Sequence, residues 1–183
     1  MEASSGERLT STALPAIGAG DHVRGSGEPL IVYLDLGCPD CAACWLDLRG
    51  VEGLELCLRH FPIASKHPRA PALHSAAEAA GLQGAFFAMV DLICEDHGRQ
   101  DDPHLWARAA TLGLELGRFE FDRRSEQAKA RVRADFAAGI RGGIAAVPAA
   151  LGAGELVYDE LVLACAERLG AQARAAGRSA GPR

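Results

Sequence analysis

What this chain lacks narrows its possibilities first. No stretch is apolar enough to span a membrane, which takes about 20 consecutive apolar residues. Basic residues do not dominate: 19 Lys and Arg stand against 24 Asp and Glu, a net charge of -5, so nothing suggests a nucleic-acid surface. The opening MEASSGERLTSTALPAIGAG has neither a basic start nor a continuous apolar segment. No secretory leader is therefore read there, and a cytoplasmic setting is expected. In such a setting the six cysteines read as reduced thiols and not as a disulfide framework. There is no internal repeat. What remains is an ordinary globular balance, 49% hydrophobic and 23% charged, over 183 residues, enough for one domain with its own core.

One stretch carries chemistry: Leu30–Leu48, LIVYLDLGCPDCAACWLDL. The run from Leu30 to Leu36 is short, contains the β-branched Ile31 and Val32, and is bounded by Gly37, which predicts a buried strand. Cys38-Pro39-Asp40-Cys41 follows. Pro39 suits the first turn of a helix, where its fixed φ fits and its missing N–H would be unpaired anyway. Two cysteines three apart at a strand-to-helix junction form the arrangement that reversible dithiol–disulfide chemistry needs. Free N–H groups and the positive end of the helix dipole favour the Cys38 thiolate, and the thiolate is the form that attacks a disulfide. Cys41, one turn deeper, is expected to be buried and to resolve the mixed disulfide. Asp40 works partly against further negative charge, which points to a less oxidising couple than a histidine there would give.

Residues 1–20 are small and polar, and disorder is expected. Asp21–Arg24 predicts a short edge strand. The helix from Pro39 to about Arg49 places Cys41, Cys44, Trp45 and Leu48 on one face. Leu54, Leu56 and Leu58 alternate with polar residues in a second strand that ends at His60-Phe61-Pro62, completing a βαβ unit with parallel strands. Helical patterns then cover Pro71–Ala80, Gln83–Asp96, a segment from Asp101-Asp102-Pro103 to Gly113, and Ser125–Ile140, with a short turn about Gly117–Asp122. Gly142-Gly143 breaks the pattern before Val147-Pro148, and Ala149–Leu151 with Glu155–Tyr158 predicts a hairpin. Asp159 caps a last helix with inner residues Leu161, Val162, Cys165 and Leu169. The tail, residues 172–183, is expected to be flexible. Cys57, Cys94 and Cys165 read as core, His60 and His67 as core or capping groups, His74, His97 and His104 as surface, and Trp45 and Trp106 as packing.

These features resemble the DsbA-like members of the thioredoxin-fold superfamily. The residues that carry the resemblance are Cys38-Pro39-Asp40-Cys41 after a buried strand, RHFPI at Arg59–Ile63, HPRAPALHSAAEAAG at His67–Gly81, and Gly142-Gly143-Ile144 leading to Val147-Pro148. The resemblance implies an α/β thioredoxin fold with an inserted helical domain, over residues 21–171 with the insertion at about 67–140. It also implies that Pro148 is a cis-proline beside the dithiol, with Val147 before it, where an extended partner chain would pair. Where relatives have aromatic residues near the dithiol and after the cis-proline, this chain has Leu36-Gly37 and Ala149-Ala150-Leu151, so a shallower, smoother groove is expected.

Two functional readings follow. In the first the chain is a thiol–disulfide oxidoreductase with Cys38 as nucleophile, Cys41 as resolving thiol, and Pro39, Asp40, Val147 and Pro148 in support. Its partner would be a thiol- or disulfide-containing protein or a low-molecular-weight thiol, with no nucleic acid or membrane involved. It would need no bound cofactor, only an external thiol reductant or oxidant. The alternative is a redox-sensing or metal-binding regulatory module on the same fold, with Cys38, Cys41 and Cys44 as ligands and His60 as a possible fourth; a ferredoxin-like fourth cysteine is missing, because Leu48 stands in that place. A glutathione-transferase-like isomerase is disfavoured by the intact Cys38/Cys41 pair. Oligomeric state is not read from the sequence.

Overall fold

Five strands in the order β1-β3-β2-β4-β5 make the central sheet of the computed structural model, which describes residues 13–179. β1 (His22–Arg24) is an edge strand, antiparallel to β3 (Leu54–His60). β2 (Glu28–Leu34) runs parallel to β3, with Leu30 opposite Leu56 and Val32 opposite Leu58. Helix α1 (Pro39–Leu48) makes the crossover that a parallel pair requires. On the other side of β2, β4 (Ala149–Gly152) pairs antiparallel and turns into β5 (Glu155–Tyr158).

The sheet is covered on both faces. Leu30, Val32 and Leu34 enter the larger core with Trp45, Leu48, Val162 and Leu169, whereas Ile31 and Tyr33 point the other way, towards Cys57, Phe61 and Ile144. A strand buried on both sides reads as a continuous apolar run, which is what Leu30–Leu34 shows. Five helices lie between β3 and β4: α2 (Ala70–Gly81), α3 (Phe86–Glu95), α4 (Asp102–Thr111), α5 (Leu116–Arg124) and α6 (Glu126–Arg141). The Trp45 indole N–H, reaching Asp91 Oδ1 at 2.7 Å, ties α1 to α3. α6 returns to the sheet so closely that a Cβ on Gly139 would sit 2.9 Å from Phe61 Cε2 and 3.1 Å from Tyr33 Cε1. The last helix, α7 (Glu160–Ser179), packs Val162, Cys165, Ala166 and Leu169 into the larger core.

Several expectations are corrected. Residues 13–20 are not loose: Leu14 and Ile17 pack on the second core, and Arg59 Nη1 and Nη2 donate to the Pro15 and Ala16 carbonyls at 2.7 and 2.9 Å. The expected disorder of residues 1–12 lies outside the described residues. The tail expected from residue 172 is helical to Ser179, held near its start by Arg174 Nη1 donating to the Glu52 carbonyl at 2.7 Å; residues 180–183 lie outside the described residues. The turn about Gly117–Asp122 is helix α5, nucleated by Glu115, whose carboxylate accepts the Gly117 and Arg118 N–H groups. Leu161 is 56% exposed, and Ala166 takes its place in the inner face. Trp106 is 40% exposed, its N–H on Glu120. His74 is fully buried, because it has polar partners inside.

Candidate active site

The link from β2 to α1 is four residues long, Asp35 to Cys38, and tightly held. The Cys38 N–H donates to the Asp35 carbonyl at 2.9 Å, and the Ala42 N–H donates to the Cys38 carbonyl at 3.0 Å, closing the first helical turn. Gly37 must lack a side chain, since its Cβ would lie 2.7 Å from His67 Cβ and 3.1 Å from Ala70 Cβ. Cys38 is the N-cap of α1, in extended backbone conformation and with no side-chain capping bond, and Pro39 opens the helix.

The two sulfurs differ in setting. Cys38 is half-buried, Cys41 is 1% exposed, and both are free thiols. Burial pushes the Cys41 thiol far up in pKa, and the neighbouring Cys38 sulfur and Asp35 carboxylate add to this. The opposing influence is the Asp35 N–H, which donates to Cys41 Sγ at 3.4 Å. Cys41 is thus a protonated reserve beneath a reachable partner. Cys44 is half-buried, and burial with Asp47 and Asp159 nearby pushes its thiol up to about 12.

Across from the helix start, the Val147–Pro148 peptide bond is cis. Val147 packs on the same core as Cys38. Among the described residues its N–H and carbonyl make no hydrogen bond, whereas the Pro148 carbonyl accepts the Asp159 N–H at 3.0 Å. Pro148 lines a cleft of about 490 Å³ with Cys44 and four acids, Asp40, Asp47, Asp159 and Glu160. Asp40 is exposed on the first turn of α1.

The cage of Cys38, Cys41 and Cys44 is not formed. Among the described residues, the only three ligand-type groups within 4.8 Å of one another are His22, His60 and Glu78. The reason is helical geometry: six residues advance about 9 Å along the axis, so Cys38 and Cys44 cannot share an ion. His60 belongs to the other group altogether.

Sequence reasoning missed Asp35, the acid beside Cys41. It is fully buried, and its carboxylate accepts the Gly37 and Ile63 N–H groups, each at 2.8 Å. Burial raises its pKa, but the Ile63 and Gly37 N–H groups that it accepts outweigh this and keep it below the usual carboxylate range. A signal was present: a lone aspartate inside an apolar run, Leu34-Asp35-Leu36, must find partners wherever it is buried.

Comparison with known proteins adds the fold and a context. No family model matches the chain. It is 35% identical over 136 residues to the Na(+)/H(+) antiporter NhaA of Herminiimonas arsenicoxydans, covering 70% of this chain and 21% of that protein. It is 37% identical over 106 residues to Na(+)/H(+) antiporter NhaA 1 of Salinispora arenicola, covering 54% and 16%. The chain thus spans about a fifth of the length of these curated relatives, and none of its described helices is long and apolar enough to cross a membrane. Among solved structures, the thiol-disulfide exchange protein alpha-DsbA2 of Wolbachia pipientis superposes with TM-score 0.75 at 13% identity, over 84% of this chain and 87% of that one. A thioredoxin-like oxidoreductase from Silicibacter pomeroyi gives 0.73 at 19%, over 90% and 95%. The catalytic domain of Proteus mirabilis ScsC gives 0.67 at 12%, over 82% and 91%. The chain has a DsbA-like thioredoxin fold in which α2–α6 form the helical insertion.

Proposed function

We propose that this chain is a thiol–disulfide oxidoreductase acting through Cys38-Pro39-Asp40-Cys41. The observation that carries the reading is the paired setting of the two sulfurs: one reachable at an uncapped helix start, the other buried one turn deeper against the Asp35 N–H. The Cys38 thiolate attacks one sulfur of a substrate disulfide. That S–S bond breaks, a mixed disulfide forms, and the other substrate sulfur leaves as a thiolate that takes a proton from solvent. Cys41 then loses its proton and attacks the Cys38 sulfur, expelling the second substrate thiolate and leaving a Cys38–Cys41 disulfide. An external dithiol reduces this pair again. The same steps in reverse oxidise a substrate dithiol, and the redox poise of the compartment sets the direction; in a reducing cytoplasm the net activity is reduction. No bound cofactor is needed. The unpaired backbone of Val147, beside Pro148, suits an extended protein substrate that adds as a strand.

Cys41→Ser tests this directly. With a disulfide substrate it is expected to accumulate a mixed disulfide through Cys38, read by mass as a covalent adduct, because no resolving thiol remains. Absence of any adduct in a folded Cys41→Ser protein would overturn the assignment.

The antiporter relatives favour a second reading, in which the same dithiol senses redox state for a partner membrane protein. Stoichiometric oxidation of Cys38 and Cys41 with little repeated turnover is the outcome that would select it.

A further inference from the structure

A chain of hydrogen bonds runs beneath the dithiol, from α2 to the β2–α1 link. The Leu36 N–H donates to His74 Nε2 at 3.0 Å. A nitrogen that accepts there carries no hydrogen of its own, so neutral His74 bears its hydrogen on Nδ1. That atom lies 2.7 Å from His60 Nδ1, which must accept. The His60 hydrogen is then on Nε2, 2.6 Å from Glu78 Oε1. His22 Nε2 reaches the same oxygen at 2.6 Å from the edge strand. One backbone amide therefore sets the tautomers of two fully buried rings, and the chain has a single direction that ends on a carboxylate. Burial brings His60 down to about 4 against the pull of Glu78, and it lowers His74 likewise, so both rings are neutral near pH 7. Burial raises Glu78, but the hydrogen bonds from His22 and His60 outweigh it and hold the carboxyl at about 2.

We propose that this Glu78–His60–His74 chain positions the resolving sulfur: by holding Leu36 it fixes the neighbouring Asp35 amide, whose N–H points at Cys41 Sγ. The inference rests on the exchange reading above. The Asp35 carboxylate pins the same link from its other side, through Gly37 and Ile63. A thiolate accepts an N–H more strongly than a thiol does, so the contact matters most when Cys41 loses its proton to attack the mixed disulfide. The charged and titratable groups facing Cys41 are Cys38 and Asp35. Those facing His74 are Asp35, Glu78 and His60, and His60 also faces His22 and, through its backbone N–H, Asp135. The Asp35 carboxylate is 3.8 Å from His74 Nε2, beyond hydrogen-bond reach, so it leaves that nitrogen free to accept from Leu36. His74 is a positioning residue, acting through the backbone it holds. A metal ion on His22, His60 and Glu78 is the competing use of the cluster, and it requires the opposite His60 tautomer, with Nε2 stripped of hydrogen.

Two measurements on the intact chain decide between them. Long-range nitrogen–proton NMR of the wild type should show hydrogen on Nδ1 of His74 and on Nε2 of His60. Hydrogen on His74 Nε2, or one equivalent of Zn²⁺ or Co²⁺ bound by the wild type and lost in Glu78→Gln, overturns the chain. In His74→Leu, decay of the mixed disulfide should slow about fivefold, the worth of one hydrogen bond. The pH at which resolution is half-maximal should rise, while the rate of Cys38 attack stays at the wild-type value. His74→Gln can offer Leu36 an acceptor again and should restore most of the rate. Equal effects on attack and resolution, or none on resolution, overturn the positioning role and leave the exchange reading standing. A wild type that forms no mixed disulfide at all overturns both. Should His74→Leu not fold, the wild-type tautomers and the His74→Gln rates decide alone.

Discussion

At the start of α4 the Asp101 carboxylate accepts the His104 N–H at 3.2 Å, and at the start of α5 the two Glu115 oxygens accept those of Gly117 and Arg118 at 2.8 and 2.6 Å. At the start of α6, Ser125 Oγ accepts the Ala128 N–H at 3.2 Å. The equivalent place in α1 is held by Cys38, whose side chain makes no such bond. α2 and α3 also begin without a side-chain cap, but on Arg69 and Ala85, neither of them a nucleophile. An oxygen caps a helix by binding its free N–H groups. Sulfur is a weak acceptor, so the first-turn N–H groups of α1 are left without a side-chain cap. Three helix starts of the helical layer, those of α4, α5 and α6, are closed by an oxygen, and α1 leaves its own open at a cysteine. Below that opening the buried polar groups are closed again, with Arg108 Nη1 and Arg131 Nε the exceptions among the described residues.

Closing the open start gives the largest effect. Cys38→Ser should abolish reduction of a model disulfide while raising unfolding stability by about 1 kcal/mol, because the extended backbone at this position suits a capping hydroxyl. Turnover assays and urea unfolding of the same preparation would read both. Opposite signs for activity and stability are the signature of a cap position given up to a nucleophile. A Cys38→Ser protein less stable than the wild type would break the comparison.

Opening the closed region with acid comes next. His60 is neutral in the folded chain, its pKa brought from 6.5 to about 4. Between these values the unfolded chain takes up a proton that the folded chain refuses. The contribution is therefore whole above pH 6.5 and is lost as the pH falls towards 4, by on the order of 3 kcal/mol. Glu78, held at about 2 against an ordinary 4.5, begins to lose its own contribution below pH 4.5. Urea midpoints taken from pH 8 to pH 4 should fall steadily below about 6.5. A flat profile down to pH 4.5 would mean that His60 is not held neutral in the fold.

The β2–α1–β3 unit was legible because Gly37, Pro39 and the apolar runs on either side are local signals. The helix starts at Asp101-Asp102 and at Ser125 were equally plain, whereas the capping bonds of Asp101 and Ser125 came only with the structure. α5 was not, since Phe119 and Arg123 are its only buried residues and no apolar stripe announces it. His74 was misplaced on the surface because periodicity counts apolar residues and has no way to see Leu36 and His60, 38 and 14 positions away, as its partners. Residues 172–179 looked like a fraying tail for the same reason: the group that holds Arg174 is the Glu52 carbonyl, 122 positions earlier. The isomer of the Val147–Pro148 bond is not written in local pattern at all, and only the resemblance to DsbA-like proteins pointed to it.

The smallest expected effect comes from opening a start that the fold keeps closed. Ser125→Ala removes the oxygen that accepts the Ala128 N–H and should cost about 1 kcal/mol in urea unfolding. Ser125 is half-buried, so water can reach the freed amide in part and the loss stays modest. The site at Cys38 is built by α1, β2, the Asp35–Gly37 link and the loop before β4, whereas the hydrogen bonds of Ser125 go to Asp122, Ala128 and Lys129. Mixed-disulfide formation and resolution should therefore keep their wild-type rates. Together with Cys38→Ser this makes a matched pair of cap substitutions with reversed signs, one losing stability and keeping activity, the other gaining stability and losing activity. If Ser125→Ala slowed exchange as much as it weakened the fold, helix starts in the insertion and at the dithiol would be energetically coupled, and the division of labour between open and closed ends would not hold.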